Sequence, residues 1–284
     1  MSVGTVERQA SVPPALSASD WHAEPGGGLR AFADENAVLM GRWFSRLRRE
    51  RLSLATTLAQ PVLWLLLFGH LFSGMTSAAV LPGVDYLTFM TAGAVVMTIY
   101  NASINSGVEL LFDRETGFLE RMMVAPINRL SLVVSRFAYV LLVSSAQSVL
   151  ILAMAYALGV RVATGLGGIA MILAVGVLFG IGLVSVSMIL AFSIKRHGEF
   201  FTLIGFMALP LIFLSSALAP TSVMPPWMRA LAQLNPMTYA VDATRSLVIY
   251  GWDWTLVGAM IAALLAFDVV TLVGASLVLR RGLS

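Results

Sequence analysis

Long uncharged apolar runs alternate with short polar stretches along most of this 284-residue chain. The runs are Leu52–Phe72, Tyr86–Val108, Phe137–Val160, Val162–Ile194, Phe200–Pro220 and Trp254–Leu279, the last broken only by Asp268. Each holds the roughly 20 residues a helix needs to cross the hydrocarbon core of a bilayer. Val162–Ile194 has room for a Gly-rich turn, Thr164–Gly168, ahead of its span. The pattern predicts an all-α membrane protein with six transmembrane helices. An even number of spans puts both termini on one side.

The N-terminal region reads differently. Pro13, Pro14, Pro25 and Gly26–Gly28 interrupt helix formation, so residues 1–33 are expected to be a disordered cytoplasmic tail. In residues 34–51, Met40, Trp43, Phe44 and Leu47 recur at helical spacing, with Arg42, Arg46 and Arg49 on another face. This predicts a basic amphipathic helix lying in the headgroup layer. Residues 34–284 form one six-helix domain in this reading.

Charge sets the orientation. With the N-terminus inside, the inner flanks carry Arg42, Arg46, Arg48, Arg49 and Arg51, then Arg114, Arg121, Arg129 and Arg136, then Lys195, Arg196, Arg280 and Arg281. The outer loops carry only Arg161, Arg229 and Arg245. Basic residues concentrate on cytoplasmic flanks, so both termini are expected inside. Hydrophobic residues make up 58% of the chain and charged residues 12%, against about 25% charged in soluble domains. That balance excludes an ordinary soluble enzyme, a disordered chain and a nucleic-acid binder. The net charge of +3 reads as topology rather than as affinity for DNA. The absence of cysteine excludes disulfides, thiolate metal sites and a cysteine nucleophile. The first 51 residues hold no apolar run of signal-peptide length.

Two loops stand out. In Asp113–Leu130, Thr116 or Gly117 can start a short helix that Pro126 ends, with Phe118, Leu119, Met122 and Met123 on one face and Glu120 and Arg121 turned elsewhere. Two environments accept such a stripe: the lipid surface, or a groove on a cytoplasmic partner. Outside, Thr221–Asp253 is long for a link between neighbouring spans and contains two helical pieces. Pro225–Pro226 starts the first, with Trp227, Ala230 and Leu231 on its apolar side. Asn235 caps the second, with Pro236 at its first position. In this second piece Thr238, Asp242, Arg245 and Ser246 make a polar stripe opposite Met237, Ala240, Val241, Thr244 and Val248, and Asp242 and Arg245 are spaced to pair. The segment is expected either to dip into the outer leaflet with its apolar face toward the protein, or to cap the surface. Trp227, Trp252 and Trp254 suit the interfacial aromatic belt.

Several polar residues fall inside spans. Asp268 is central in the last, where an acid costs about 2.5–3.5 kcal/mol on insertion scales; it is either a packing group or part of a path. Asn101 and Asn105, four apart on the second span, either line a path or bond between helices. Glu109 is expected to snorkel or to pair with Arg114, and His70 to pack. No P-loop occurs: Lys195, the sole lysine, sits in SIKRH. Neither HExxH nor GxSxG is present. Any ATPase that drives this protein is another chain.

The loop runs DRETGFLERMMVAPINR and LNPMTYAVDATRSLV, with the basic helix, six spans and long last outer loop, resemble the membrane subunit of type-2 ABC transporters. The likeness is to the daunorubicin-resistance and nodulation-factor export permeases, and covers about Phe32 to Arg281. It implies a multi-pass subunit of a bacterial inner membrane, pairing with a second copy of itself and with a cytoplasmic ATPase that binds ATP and Mg. It implies that Gly117, Phe118, Leu119, Glu120, Arg121 and Met122 form a coupling helix on the ATPase. Asn235, Pro236, Tyr239, Asp242 and Arg245 would shape an outer gate in a re-entrant-like segment. Asp268 and His70 match no motif of the family. An amphiphilic drug, lipid or lipid-linked glycan is the expected substrate, with Asn101, Asn105 and Asp268 as candidate path residues. The alternative is an ion-gradient-driven transporter or channel using Asp268.

Overall fold

The computed structural model describes residues 29–49, nine positions between 59 and 71, and residues 83–117, 129–194 and 196–282. Eight helices are described here: α1 (Leu29–Arg49), α2 (Tyr86–Glu115), α3 (Arg129–Ala157), α4 (Gly165–Ser193), α5 (His197–Phe213), α6 (Pro226–Ala232), α7 (Pro236–Arg245) and α8 (Trp254–Gly282). Among the described residues there is no strand. The nine positions of the first apolar run, from Ala59 to Leu71, are all helical.

Four helices are long and apolar enough to cross a membrane: Tyr86–Asp113, Val133–Ala157, Gly165–Ser193 and Trp254–Val278. They coincide with four of the six apolar runs, and their ends explain themselves locally. Gly159, at φ 100°, takes the chain out of α3. Asp253 accepts the backbone N–H groups of Thr255 and Leu256 at 3.1 and 3.0 Å and so caps α8. The turn before α4 is shorter than expected, because the helix already starts at Gly165. Asn36 donates to the Phe32 carbonyl at 2.7 Å near the start of α1, which begins at Leu29 inside the stretch read as tail. Residues 1–28 lie outside the described residues.

The fifth run departs most from expectation. Phe200–Pro220 is not one continuous helix. The helix α5 starts at His197 and stops at Phe213, with Pro210 in its last turn. At 1.5 Å per residue its 17 residues reach about 25 Å, short of the roughly 30 Å of a bilayer core. Residues 214–220 continue as irregular chain, in which Ser215, Ser216 and Ala217 are buried.

The centre of the molecule is α2. Every residue from Phe89 to Tyr100 is buried, because α3, α4 and α7 all pack on this half of the helix or its neighbours. Small residues set the closeness. A Cβ on Gly176 or Gly180 of α4 would meet Ile99 of α2, and one on Gly93 of α2 would meet the Ala217 backbone. Such approach is how helices associate in lipid, where burial of apolar surface gives no drive. α8 packs on the other side of α4, and its outer face leaves Val269, Val270 and Val273 exposed, as lipid contact requires.

Candidate functional site

The irregular stretch after α5 creates a problem that the Thr221–Asp253 segment answers. Backbone carbonyls outside a helix need donors, and at membrane depth only protein can supply them. Asn235 supplies two. Its Nδ2 donates to the carbonyls of Leu211 at 2.9 Å and Leu214 at 2.7 Å, while its Oδ1 accepts the Met237 N–H at 2.9 Å. One amide therefore closes α5 and opens α7. Arg245 supplies a third bond, to the Ser216 carbonyl at 2.6 Å, and Tyr86 of α2 a fourth, to the Leu218 carbonyl at 2.9 Å. Arg245 also binds the Asp242 carboxylate at 3.1 Å and lies 3.7 Å from the centre of the Phe89 ring.

α7 is thus not a helix with one face to the protein and one to the outside. Thr238, Arg245 and Ser246 of its polar stripe are as buried as Met237, Ala240 and Val241 of its apolar stripe. The polar stripe turns inward because the carbonyls of residues 211–218 are there. Asp242 and Arg245 pair as their spacing predicts. Pro236 is the first residue of α7, and the Tyr239 hydroxyl donates to the Gln233 carbonyl. Beyond α7 a π-helical turn, Ser246–Tyr250, is tied to the α3–α4 loop by Thr164 Oγ1 to Leu247 O at 2.8 Å and Ala163 N to Val248 O at 2.9 Å. By contrast α6 is exposed along Trp227 and Leu231, and Arg229 folds back on the Thr221, Ser222 and Met224 carbonyls.

A second constellation ties the opposite ends of α2 and α3 to α1. Arg136 of α3 is buried and bonds Glu109 of α2 at 3.0 Å. The sequence predicts that Glu109 snorkels or pairs with Arg114, whose side chain lies outside the described residues; α3 runs antiparallel beside α2 and brings Arg136 level with Glu109. Arg136 also donates to the Ser106 carbonyl and lies 4.4 Å from the centre of the Trp43 ring, which stacks on Tyr139 at 5.6 Å. Ser131 donates to Glu35 at 2.6 Å. So α1 docks on α3 through Glu35, Leu39 and Trp43, with Phe44 exposed, rather than resting on lipid alone. Arg136 counted in the sequence only as a topology charge. Its spacing of 27 residues from Glu109 across a loop gave no signal of a pair.

Of the proposed coupling residues, Gly117 is described. It has φ 65° and follows Thr116 in the turn that ends α2. Phe118, Leu119, Glu120, Arg121 and Met122 lie outside the described residues. The three path candidates do not share a surface. Asn105 is exposed on α2 and donates to the Asn101 carbonyl at 2.8 Å. Asp268 is buried on α8 against Gly182 of α4, where a Cβ would sit 2.6 Å from its Oδ1. Gly180, two residues away, faces Ile99 and Ser103 of α2, and two residues on a helix point to opposite sides. α4 therefore stands between Asp268 and the asparagines. Asp268 Oδ1 is buried without a hydrogen-bond partner among the described residues. His70 does not pack inside: it is exposed, with Nδ1 2.8 Å from the Leu66 carbonyl.

The family profile described as ABC-2 type transporter matches residues 35–249, which takes in α1 to the turn after α7. The chain belongs to the ABC-2 type transporter family. It is similar to proteins named transport permease ycf38: 32% identical over 249 residues to that of Porphyra purpurea, covering 83% of this chain and 85% of the relative. With that of Cyanophora paradoxa the identity is 34% over 216 residues, covering 76% and 74%. It is 23% identical over 201 residues to a protein of Escherichia coli K12 named multidrug ABC transporter permease YbhR, covering 70% of this chain and 54% of the relative. With several apolar helices of spanning length, this ABC-2 chain is a multi-pass membrane protein and the transmembrane subunit of an ABC transporter. Membership implies association with an ABC ATPase subunit. The matched region contains both constellations.

Proposed function

We propose that this chain is the membrane half of an ABC exporter in a bacterial inner membrane, with six spans and both termini inside. It works as a homodimer and moves an amphiphilic substrate, such as a drug, a lipid or a lipid-linked glycan. A separate ATPase binds ATP and Mg and docks on the loop from Gly117 to Ala125. The observation that carries this reading is the inner clamp. Arg136, Glu109 and Trp43 join α1 to α2 and α3, the two helices that flank that loop, so a push on the loop reaches all three together. The outer assembly of Asn235, Pro236, Tyr239, Asp242 and Arg245 is the gate, because it holds a non-helical stretch by a few side chains that can be released without unfolding a span. Asn101 and Asn105 face the path between two copies. An amide stripe left exposed by one copy is costly against lipid, which supports a protein or solvent neighbour there.

The test is a mild-detergent pull-down of the tagged protein from native membranes, with the chains that come with it identified by mass spectrometry. A stoichiometric chain carrying a P-loop supports the reading; isolation of the protein alone, in a detergent that keeps other ABC complexes whole, overturns it. Glu120→Arg separates docking from folding: it is expected to leave the permease assembled but to uncouple ATP hydrolysis from transport. Normal export by that variant ends the docking assignment.

A second reading, gradient-driven transport through Asp268, has one observation behind it, the buried and unpartnered Oδ1. It predicts that Asp268→Asn abolishes transport whatever the ATP supply. Transport that still follows ATP in this variant assigns Asp268 to the packing of α8 on α4.

A further inference from the structure

We propose that α2 contains a hinge at Ser103–Gly107, built by Ser187 of α4, about which the inner end of α2 swings together with the inner end of α3. Five backbone groups in seven residues of α2 are bonded by side chains. The Asn101 carbonyl accepts from Asn105 at 2.8 Å, and the Ser103 carbonyl from Ser106 Oγ at 2.6 Å. The Ile104 carbonyl accepts from Ser187 Oγ, and the Ser106 carbonyl from Arg136. The Gly107 N–H donates to Ser187 Oγ at 2.8 Å. One serine hydroxyl thus serves both a carbonyl and an N–H of the neighbouring helix.

In lipid a helix can loosen its own ladder only where other groups take over its bonds, and a side chain inserted into the ladder is a recognised cause of a kink. Gly107 makes the insertion possible: a Cβ there would lie 2.6 Å from the Ser187 carbonyl oxygen and 2.8 Å from the Phe200 ring. The two sides of this point differ in freedom. Above it, Phe89 to Tyr100 are buried all round and Gly93 is pressed against Ala217. Below it, Phe112 is exposed, Leu111 is buried, and Glu109 is tied to Arg136 of α3. The lower arm therefore moves with α3, while the upper arm stays with the core. Hinges of this kind confine a domain motion to a few residues.

The chain has no cysteine, so spin labels can be placed at will. One pair, Phe112→Cys with Ser193→Cys, reports the inner ends of α2 and α4. The other, Asp85→Cys with Leu166→Cys, reports their outer ends. Distances are read by pulsed electron resonance in lipid nanodiscs, with labelled protein diluted in unlabelled. A bend of about 20° on an arm of eight residues, or about 12 Å, moves its end by about 4 Å. Ser187→Ala, which removes the inserted hydroxyl, is expected to shift the inner pair by about that much and leave the outer pair in place. Gly107→Ala is expected to shift the inner pair as well; the outer pair is the check that either variant is folded. An unmoved inner pair in both variants, or equal movement of the two pairs, overturns the hinge. The hinge itself needs only the permease; that nucleotide drives it rests on the exporter reading. With the ATPase bound, vanadate-trapped nucleotide is expected to move the inner pair alone. If Ser187→Ala moves that pair and trapped nucleotide does not, the hinge stands and the drive assigned to it fails.

Discussion

Replacing Arg245 by Met tests the outer assembly most directly. Methionine keeps much of the length and apolar stem of arginine but brings no donor and no charge. Three interactions go at once: the 2.6 Å bond to the Ser216 carbonyl, the 3.1 Å pair with Asp242, and the 3.7 Å stacking on Phe89. An acceptor left buried and unbonded costs about 1–3 kcal/mol. A desolvated cation–π contact is worth up to about 2 kcal/mol. Asp242 keeps 31% of its side-chain surface exposed, so water rehydrates it, and its loss falls below the roughly 3–5 kcal/mol seen when a fully buried pair is broken. The sum is about 3 kcal/mol. At about 2–4 °C per kcal/mol for a chain of this size class, the midpoint of thermal unfolding should fall by about 6–12 °C. The assay is loss of the monodisperse peak on size exclusion after heating in detergent. Arg245→Met with Asp242→Leu should recover part of the loss, because no unpaired carboxylate remains. A midpoint within about 2 °C of wild type for the single variant would refute the claim that Arg245 holds the irregular stretch.

Gly93→Ala should destabilise by about 1–3 kcal/mol, the usual cost of overpacking, because the new methyl meets a backbone carbonyl at Ala217 that has no rotamer to move away; the same heating assay reads it, and an unchanged midpoint would show that the turn yields freely. Asn235→Ala removes a helix cap worth about 1 kcal/mol and two bonds to the end of α5, so its loss should exceed that of a simple cap; Asn235→Asp, which keeps the cap and loses both donated bonds, separates the two parts. Arg136→Gln should loosen α1 and α2 from α3 together, seen as faster amide exchange in both, whereas exchange confined to α3 would show that the clamp does not join them.

Hydrophobic run length was enough to define an all-helical membrane protein, and the lack of any P-loop left ATP hydrolysis to another chain as an expectation. These properties follow from transfer free energy and composition, which each residue carries with it wherever it ends up. The cap at Asn235 and the Asp242–Arg245 pair were legible for a related reason: both act within four residues along the chain. The rest needed tertiary structure. Phe200–Pro220 is uncharged throughout, and although Pro210 and Ser215–Ser216 lie near the point where α5 stops, the stop is made possible by donors from Asn235, Arg245 and Tyr86, which lie 21, 29 and 132 residues away from the carbonyls they serve. The partner of Glu109 was equally hidden, because an ion pair between two helices depends on their register. The inward turn of α7's polar stripe had the same origin. Periodicity tells which residues share a face, but only the packing tells what that face meets, and here it meets the open backbone carbonyls after α5.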